Sequence, residues 1–231
     1  VQNPSWPFFL GGALGFVAIH FAARLPPIPP LGKAPPGVLA GLRWLYQEAF
    51  FRRLAGAVLG ASFLRVMPFA LLPLWSLQAG YGPIGYGLLS TAFSLGGALG
   101  GLLAGKLKGK RPQRVLSLLF LMDAGAVLGL LFKPPLPLGL LLVALLGISA
   151  ILLGVQEVVL RQALAPDALL GRVGGGMRFL SGSAGLLGAL LAGIVGGKLG
   201  LEEVYLGAGL GFLLLALAAW GFLGQIEKRA R

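Results

Sequence analysis

The sequence predicts an all-α polytopic membrane protein with seven transmembrane helices, six of them forming one bundle. Three observations carry this. Of 231 residues, 57% are hydrophobic and only 11% are charged, against about 25% charged in a soluble domain. Apolar runs near the roughly 20 residues needed to cross a bilayer recur along the whole chain. The basic residues gather in the breaks between those runs rather than on a face. Such a pattern excludes a soluble enzyme, a nucleic-acid-binding domain and an outer-membrane barrel, whose strands would alternate polar and apolar residues. The net charge of +12 is accordingly a matter of topology, and no nucleic-acid partner is expected.

Taken in order, the spans are 6–24, 54–78, 84–105, 115–132, 138–159, 174–197 and 204–224. Residues 1–25 carry no basic n-region or cleavage site of a signal peptide. The chain opens on Val1 rather than Met, which reads as a piece of a longer protein. After the first span, Pro26-Pro27-Ile28-Pro29-Pro30 and Pro35-Pro36 favour an extended, semi-rigid stretch. Val38, Leu42, Leu45, Tyr46, Ala49 and Phe50 then recur at helical spacing opposite Arg43, Gln47, Arg52 and Arg53. This predicts a short amphipathic helix at the membrane interface. The domains expected are 1–25, a last helix of something preceding; 26–53, a linker; and 54–231, a six-helix bundle.

Glycine is frequent within the spans. Gly97, Gly101 and Gly105 fall four apart on one stripe, the spacing at which membrane helices pack closely. Gly188 and Gly193 mark a second crowded span.

Orientation follows from the loops. One side holds sixteen Lys and Arg, from Arg24, Lys33, Arg43, Arg52 and Arg53 through Lys106 to Arg114, then Arg161, Arg172 and Arg178, to Lys228, Arg229 and Arg231; the other holds Lys133 and Lys198. By the positive-inside rule the first side is cytoplasmic. The protein is expected in the cytoplasmic (inner) membrane, its first residues outside and its last inside.

Ionisable groups at membrane depth are the leading functional candidates. Arg65 lies about 18 Å past Arg53 along a helix and Asp123 about 13 Å past Arg114. The two can pair, either as a structural clamp or as a substrate or proton site. Met67-Pro68 and Pro73 kink the Arg65 span, and broken helices near the midplane point to transporter sites. Trp75, Phe69 and Phe63 are candidates to line an apolar cavity or to pack in the core. Glu157 and Arg161 stand at i and i+4. With Asp167, Arg172 and Arg178 they form a charged rim that reads as an inner gate or as solvated helix ends. His20, the one histidine, has no carboxylate or Cys beside it and makes no metal site. Ser181-Gly182-Ser183-Ala184-Gly185 lacks the first glycine of a nucleophile elbow. No cofactor is expected, and no enzymatic constellation is visible.

Three stretches resemble known sequence. Ala40-Gly41-Leu42-Arg43-Trp44-Leu45 is similar to the linker signature of the drug and siderophore exporters of the major facilitator superfamily, which usually has an acidic residue in place of Ala40. The run from Tyr86 to Gly100, with Leu95-Gly96-Gly97-Ala98-Leu99-Gly100 at its end, resembles that branch's eighth helix. Ala165-Pro166-Asp167-Ala168-Leu169-Leu170-Gly171-Arg172-Val173 resembles its loop between the tenth and eleventh helices. The resemblance implies the second half of a twelve-helix transporter, preceded by the last helix of the first half. It implies a proton-coupled efflux transporter of hydrophobic or amphiphilic small molecules, working by alternating access around a midplane site. Its partners would be membrane lipid, a small-molecule substrate and the missing first bundle. One motif departs: Gly105-Lys106-Leu107-Lys108-Gly109-Lys110-Arg111 keeps the glycine and the basic cluster but lacks the family's Asp. That acidic gate role is not carried over, and the cluster suits an anchor at anionic lipid. Two other classes fit seven spans, a seven-helix receptor or sensor and a membrane enzyme. The first is disfavoured because the last span has no Lys for a retinal Schiff base.

Overall fold

A computed structural model describes residues 40–107 and 112–227, together with Phe16, His20 and Arg24. Residues 1–34 and 35–231 are separate compact units; the second is described below. The predicted span 6–24, the proline stretch 26–39 and the basic positions 108–111 and 228–231 lie largely or wholly outside the described residues.

The second unit is all helix among the described residues. A short α1 (Ala40–Gln47) leads into α2 (Ala49–Ala70), followed by α3 (Leu72–Gln78) and α4 (Gly82–Leu103). A 3-10 turn (Ala104–Leu107) precedes α5 (Pro112–Leu131) and α6 (Leu136–Leu164), and a second (Asp167–Leu169) precedes α7 (Leu170–Lys198) and α8 (Leu201–Glu227). Among the described residues six helices are long and apolar enough to cross a membrane. Each overlaps one of the six predicted spans after the linker, with ends shifted by several residues. Prolines set several starts: Pro83 and Pro137 stand in the first turns of α4 and α6, where the missing N–H is one the helix does not need. Ala165, extended because Pro166 follows it, ends α6.

The predicted continuous span 54–78 is two helices. Pro68 and Pro73 each lack the N–H that a carbonyl four residues back requires, and the helix breaks at Leu71 between them. Tyr205 on α8 donates its hydroxyl hydrogen to the Pro68 carbonyl at 3.1 Å, supplying a donor at the break. The chain then reverses at Tyr81, between Gly80 and Gly82. Both glycines have positive φ, +78° and +66°, which side-chain-bearing residues adopt only with strain.

The helices do not pack in sequence order. Neighbours run α4, α6, α5, α8, α2, α7, an arc whose two ends, α4 and α7, each rest mainly on one partner. These two helices are the least buried along their apolar stretches, 17% each, against 22% in α2, 39% in α6 and α8 and 56% in α5. Lipid offers no hydrophobic drive between helices, so contact depends on close backbone approach. At the α4–α6 crossing, a Cβ on Gly96 would overlap the Ala144 carbonyl oxygen, and one on Gly147 would overlap that of Phe93. A Cβ on Gly100 would stand 2.8 Å from the Ile148 oxygen. The packing stripe is thus Gly96–Gly100 rather than the expected Gly97–Gly101–Gly105: Gly97 meets the Ile151 side chain at 3.2 Å and the Gly147 carbonyl oxygen only at 3.8 Å, while Gly101 and Gly105 face open space. Gly188 is crowded as expected, against the Phe63 backbone, whereas Gly193 is open.

The predicted amphipathic helix forms as α1, with Leu42 and Leu45 on its covered side and Arg43 and Gln47 exposed as expected, and it departs at its margins. Gly41 and Leu45 are buried, while Tyr46 and Ala49 are exposed. Its apolar side lies against α7.

Candidate functional site

Arg65 sits on α2 four turns from its start, and Asp123 lies midway along α5. The structure brings them together: an Arg65 Nη2 hydrogen donates to Asp123 Oδ2. The Asp123 side chain is fully buried and that of Arg65 is 14% exposed. Two groups invisible to the sequence reading complete the cluster. Ser149 on α6, also fully buried, stands 3.5 Å from Arg65 Nη2 and donates to the Leu119 carbonyl at 3.3 Å. The Phe212 ring on α8 lies under the guanidinium, 5.8 Å from Cζ to the ring centre, within cation–π range. Four helices, α2, α5, α6 and α8, therefore meet at one charge. Asp123 Oδ1 and Arg65 Nε have no hydrogen-bond partner among the described residues. The pair is complete as an ion pair and incomplete as a hydrogen-bond network. A serine in a membrane helix gives no sequence signal beyond its polarity, which is why Ser149 was missed.

Trp75 falls beyond the helix break, while Phe69 lies just before it, one turn past Arg65 on α2. Trp75 is buried in a packed aromatic group, stacked on Tyr205 (5.9 Å between ring centres) and edge-on to Tyr81 (5.6 Å). It is core rather than cavity lining. Half-buried Phe69 meets Phe93 edge-on at 4.5 Å, joining α2 to α4. The Tyr81 hydroxyl donates to the Pro134 carbonyl. Burial raises its phenol pKa from the ordinary value. At this same end Lys133 pairs with Glu202 at 2.9 Å, both exposed.

The charged rim lies at the other end, where α6 turns into α7. Arg161 and Glu157 form an ion pair at 3.1 Å, each about one-seventh exposed. Arg161 also donates to the Leu170 carbonyl at 3.3 Å. Asp167 and Arg178 are exposed, and the Arg172 backbone packs under Gly41 of α1. Of the five predicted rim residues, the structure pairs Glu157 with Arg161.

Two curated relatives place this architecture. The chain is 33% identical over 186 residues to the multidrug efflux pump Tap of Mycolicibacterium fortuitum, covering 79% of this chain and 45% of the pump. It is 28% identical over a 237-residue alignment to the enterobactin exporter EntS of Escherichia coli, covering 97% of this chain and 55% of the exporter. Both relatives fit the resemblance of its motifs to exporters of the major facilitator superfamily. No family model matches it, and no solved structure matches it. Both relatives are named for export. It spans about half the length of the curated relatives it matches. Its six apolar helices make it a multi-pass membrane protein.

Proposed function

We propose that the chain is one half of a secondary active transporter that exports hydrophobic or amphiphilic small molecules against a proton gradient, by alternating access. The observation that carries this is the pair of edge helices. On α4, Gly87, Thr91, Ser94, Ala98 and Gly101 are exposed at alternating four- and three-residue steps, and Gly105 in the following turn continues the series. Thr91 and Ser94 satisfy their hydroxyls on the carbonyls of Gly87 and Ser90, so the stripe is smooth and self-contained. On α7, Gly171, Gly175, Gly182, Gly193 and Gly197 are exposed with open space before them. A helix seam of small residues suits close approach of another helix, and the relatives have as much chain again to supply one. In this reading a second bundle closes the arc, and the substrate path runs between the bundles.

The test is transport by the full-length parent in liposomes, with a panel of lipophilic dyes and an imposed pH gradient. Uphill dye movement that collapses with the gradient is expected. Gly101→Leu with Gly182→Leu should lower it at least tenfold while leaving the protein folded. Dye movement indifferent to the gradient would remove the proton coupling, and no movement of any dye would remove the substrate class.

The end bearing α1, Arg161 and Arg172 is assigned to the cytoplasm from the charge asymmetry. Single cysteines at Lys106 and Pro83 test this with a membrane-impermeant maleimide on intact cells. Labelling at Pro83 alone is expected, and labelling at Lys106 alone would invert the topology.

A further inference from the structure

A short helix between a proline break and a pair of glycines has the local makings of a hinged flap, since hinges are loop or element-end residues that absorb large φ/ψ changes. α3 is such a segment: Leu71 stands before it, and Gly80 and Gly82, both at positive φ, come after it. Its surroundings decide otherwise. Leu72, Trp75 and Ser76 are buried. Trp75 is the middle member of an aromatic row, Tyr205–Trp75–Tyr81, with ring centres 5.9 and 5.6 Å apart. Rings at such separations attract beyond the area they bury.

A hydroxyl ties each end of the row. Tyr205 donates to the Pro68 carbonyl, on the α2 side of the break, and Tyr81 donates to the Pro134 carbonyl in the α5–α6 connection. Glycines make the seat of Tyr81: a Cβ on Gly85 of α4 would overlap the Tyr81 Cβ, and one on Gly139 of α6 would stand 3.3 Å from its hydroxyl oxygen. Leu71 itself fills the place of a side chain at Gly196 of α7, its Cδ1 2.9 Å from where a Cβ would be. Both apparent hinges are also spanned by side chains. Tyr205 bridges the break, bonded to Pro68 before it and stacked on Trp75 after it. Ser76 bridges the glycine turn, donating to the Gly82 carbonyl at 3.0 Å.

We propose that α3 is a keystone and not a flap. With the end of α2, the turn at 79–82 and the adjoining ends of α4, α6, α7 and α8, it forms one rigid cap on the end of the bundle opposite Arg161. On the transporter reading above, on which this part rests, that end opens only as the whole bundle swings from its partner. Substrate passing there moves between the edge helices rather than beneath a lifted α3.

The experiment uses the full-length parent in lipid nanodiscs, with any cysteine outside this cysteine-free chain replaced. Nitroxides on cysteines replacing Gln78 and Glu203, both exposed, report α3 against α8. With or without dye, at low and high pH, their separation should stay single and move by less than about 2 Å, the scale that divides side-chain adjustment from rearrangement of a segment. A larger shift or a second distance overturns the cap. Over the same conditions a cysteine replacing the exposed Gly87 on α4 should change its maleimide reactivity about tenfold, as when a minor state of a few per cent becomes the major one. Dye transport with that reactivity constant overturns the swing. Dye transport by the nitroxide-labelled protein at the parent's rate shows that the transporter reading holds, so its failure is seen separately. A second variant needs no transport at all. Tyr205→Phe with Ser76→Ala should broaden the Gln78–Glu203 distance distribution about twofold, because lost ties let a segment open locally. An unchanged width would also overturn the cap.

Discussion

Asp123→Asn in the full-length parent should lower unfolding stability by about 3–5 kcal/mol, the cost of leaving a buried charge unpaired; values in membranes are smaller where other partners are found. Arg65 cannot shed its charge, and Ser149 and Phe212 compensate only part of it. Arg65→Gln should also destabilise, because it strands the fully buried Asp123. The double substitution should recover much of either loss, since neither charge then lacks a partner. Thermal or denaturant unfolding in detergent reads all three. Additive losses would sink the clamp. A coupling role for Asp123 predicts a different pattern: Asp123→Asn folds normally, binds substrate and exchanges it downhill, yet loses gradient-driven transport.

The second large effect belongs to the α4–α6 crossing. Gly96→Leu or Gly147→Val should destroy the folded bundle, because each new Cβ meets main chain and the helices must separate to admit it. Overpacking a core costs about 1–3 kcal/mol where side chains can shift; here backbone must shift, so the loss should lie at or above that range. Gly125→Ala and Gly207→Ala, which face open space, serve as controls and should stay within about 0.5 kcal/mol of the parent. The measurement is monodisperse recovery in detergent together with melting temperature. Equal behaviour of the two pairs would refute the packing account.

Hydropathy made the six described spans legible, because a helix in lipid must be apolar along its whole length. Depth counting along helices also brought Arg65 and Asp123 to one level. What it missed was rotation about the helix axis. Gly96-Gly97 and Gly100-Gly101 are adjacent doublets, so two stripes one residue apart satisfy the same spacing. Only the α6 backbone at Ala144 and Ile148 selects Gly96 and Gly100. The face of α1 is legible at Leu42 and Leu45 but not at its margins. Tyr46 reads as apolar in a helical pattern, whereas Gly41 becomes a contact residue only against the Arg172 backbone. The break at Leu71 was half visible: the prolines announced a kink, but not the hydroxyl from Tyr205 that supports it.

The order of neighbours in the arc bears on how the protein is made. Arg65 and Asp123 are separated by 58 residues, and ribosomes extend a chain at about 5–20 residues per second. The arginine therefore leaves the ribosome about 3–12 s before its carboxylate does. The α2–α7 contact comes later still, since Phe63 must wait for Gly188. For that interval the nascent helix carries a cation that bilayer hydrocarbon disfavours. Either the insertion machinery shelters α2 or the helix stays near the interface, with Arg65 reaching toward headgroups, until α5 arrives. Biosynthesis of this bundle is accordingly a matter of delayed pairing, in which the site with the most critical charge is completed well after its first residue is in place.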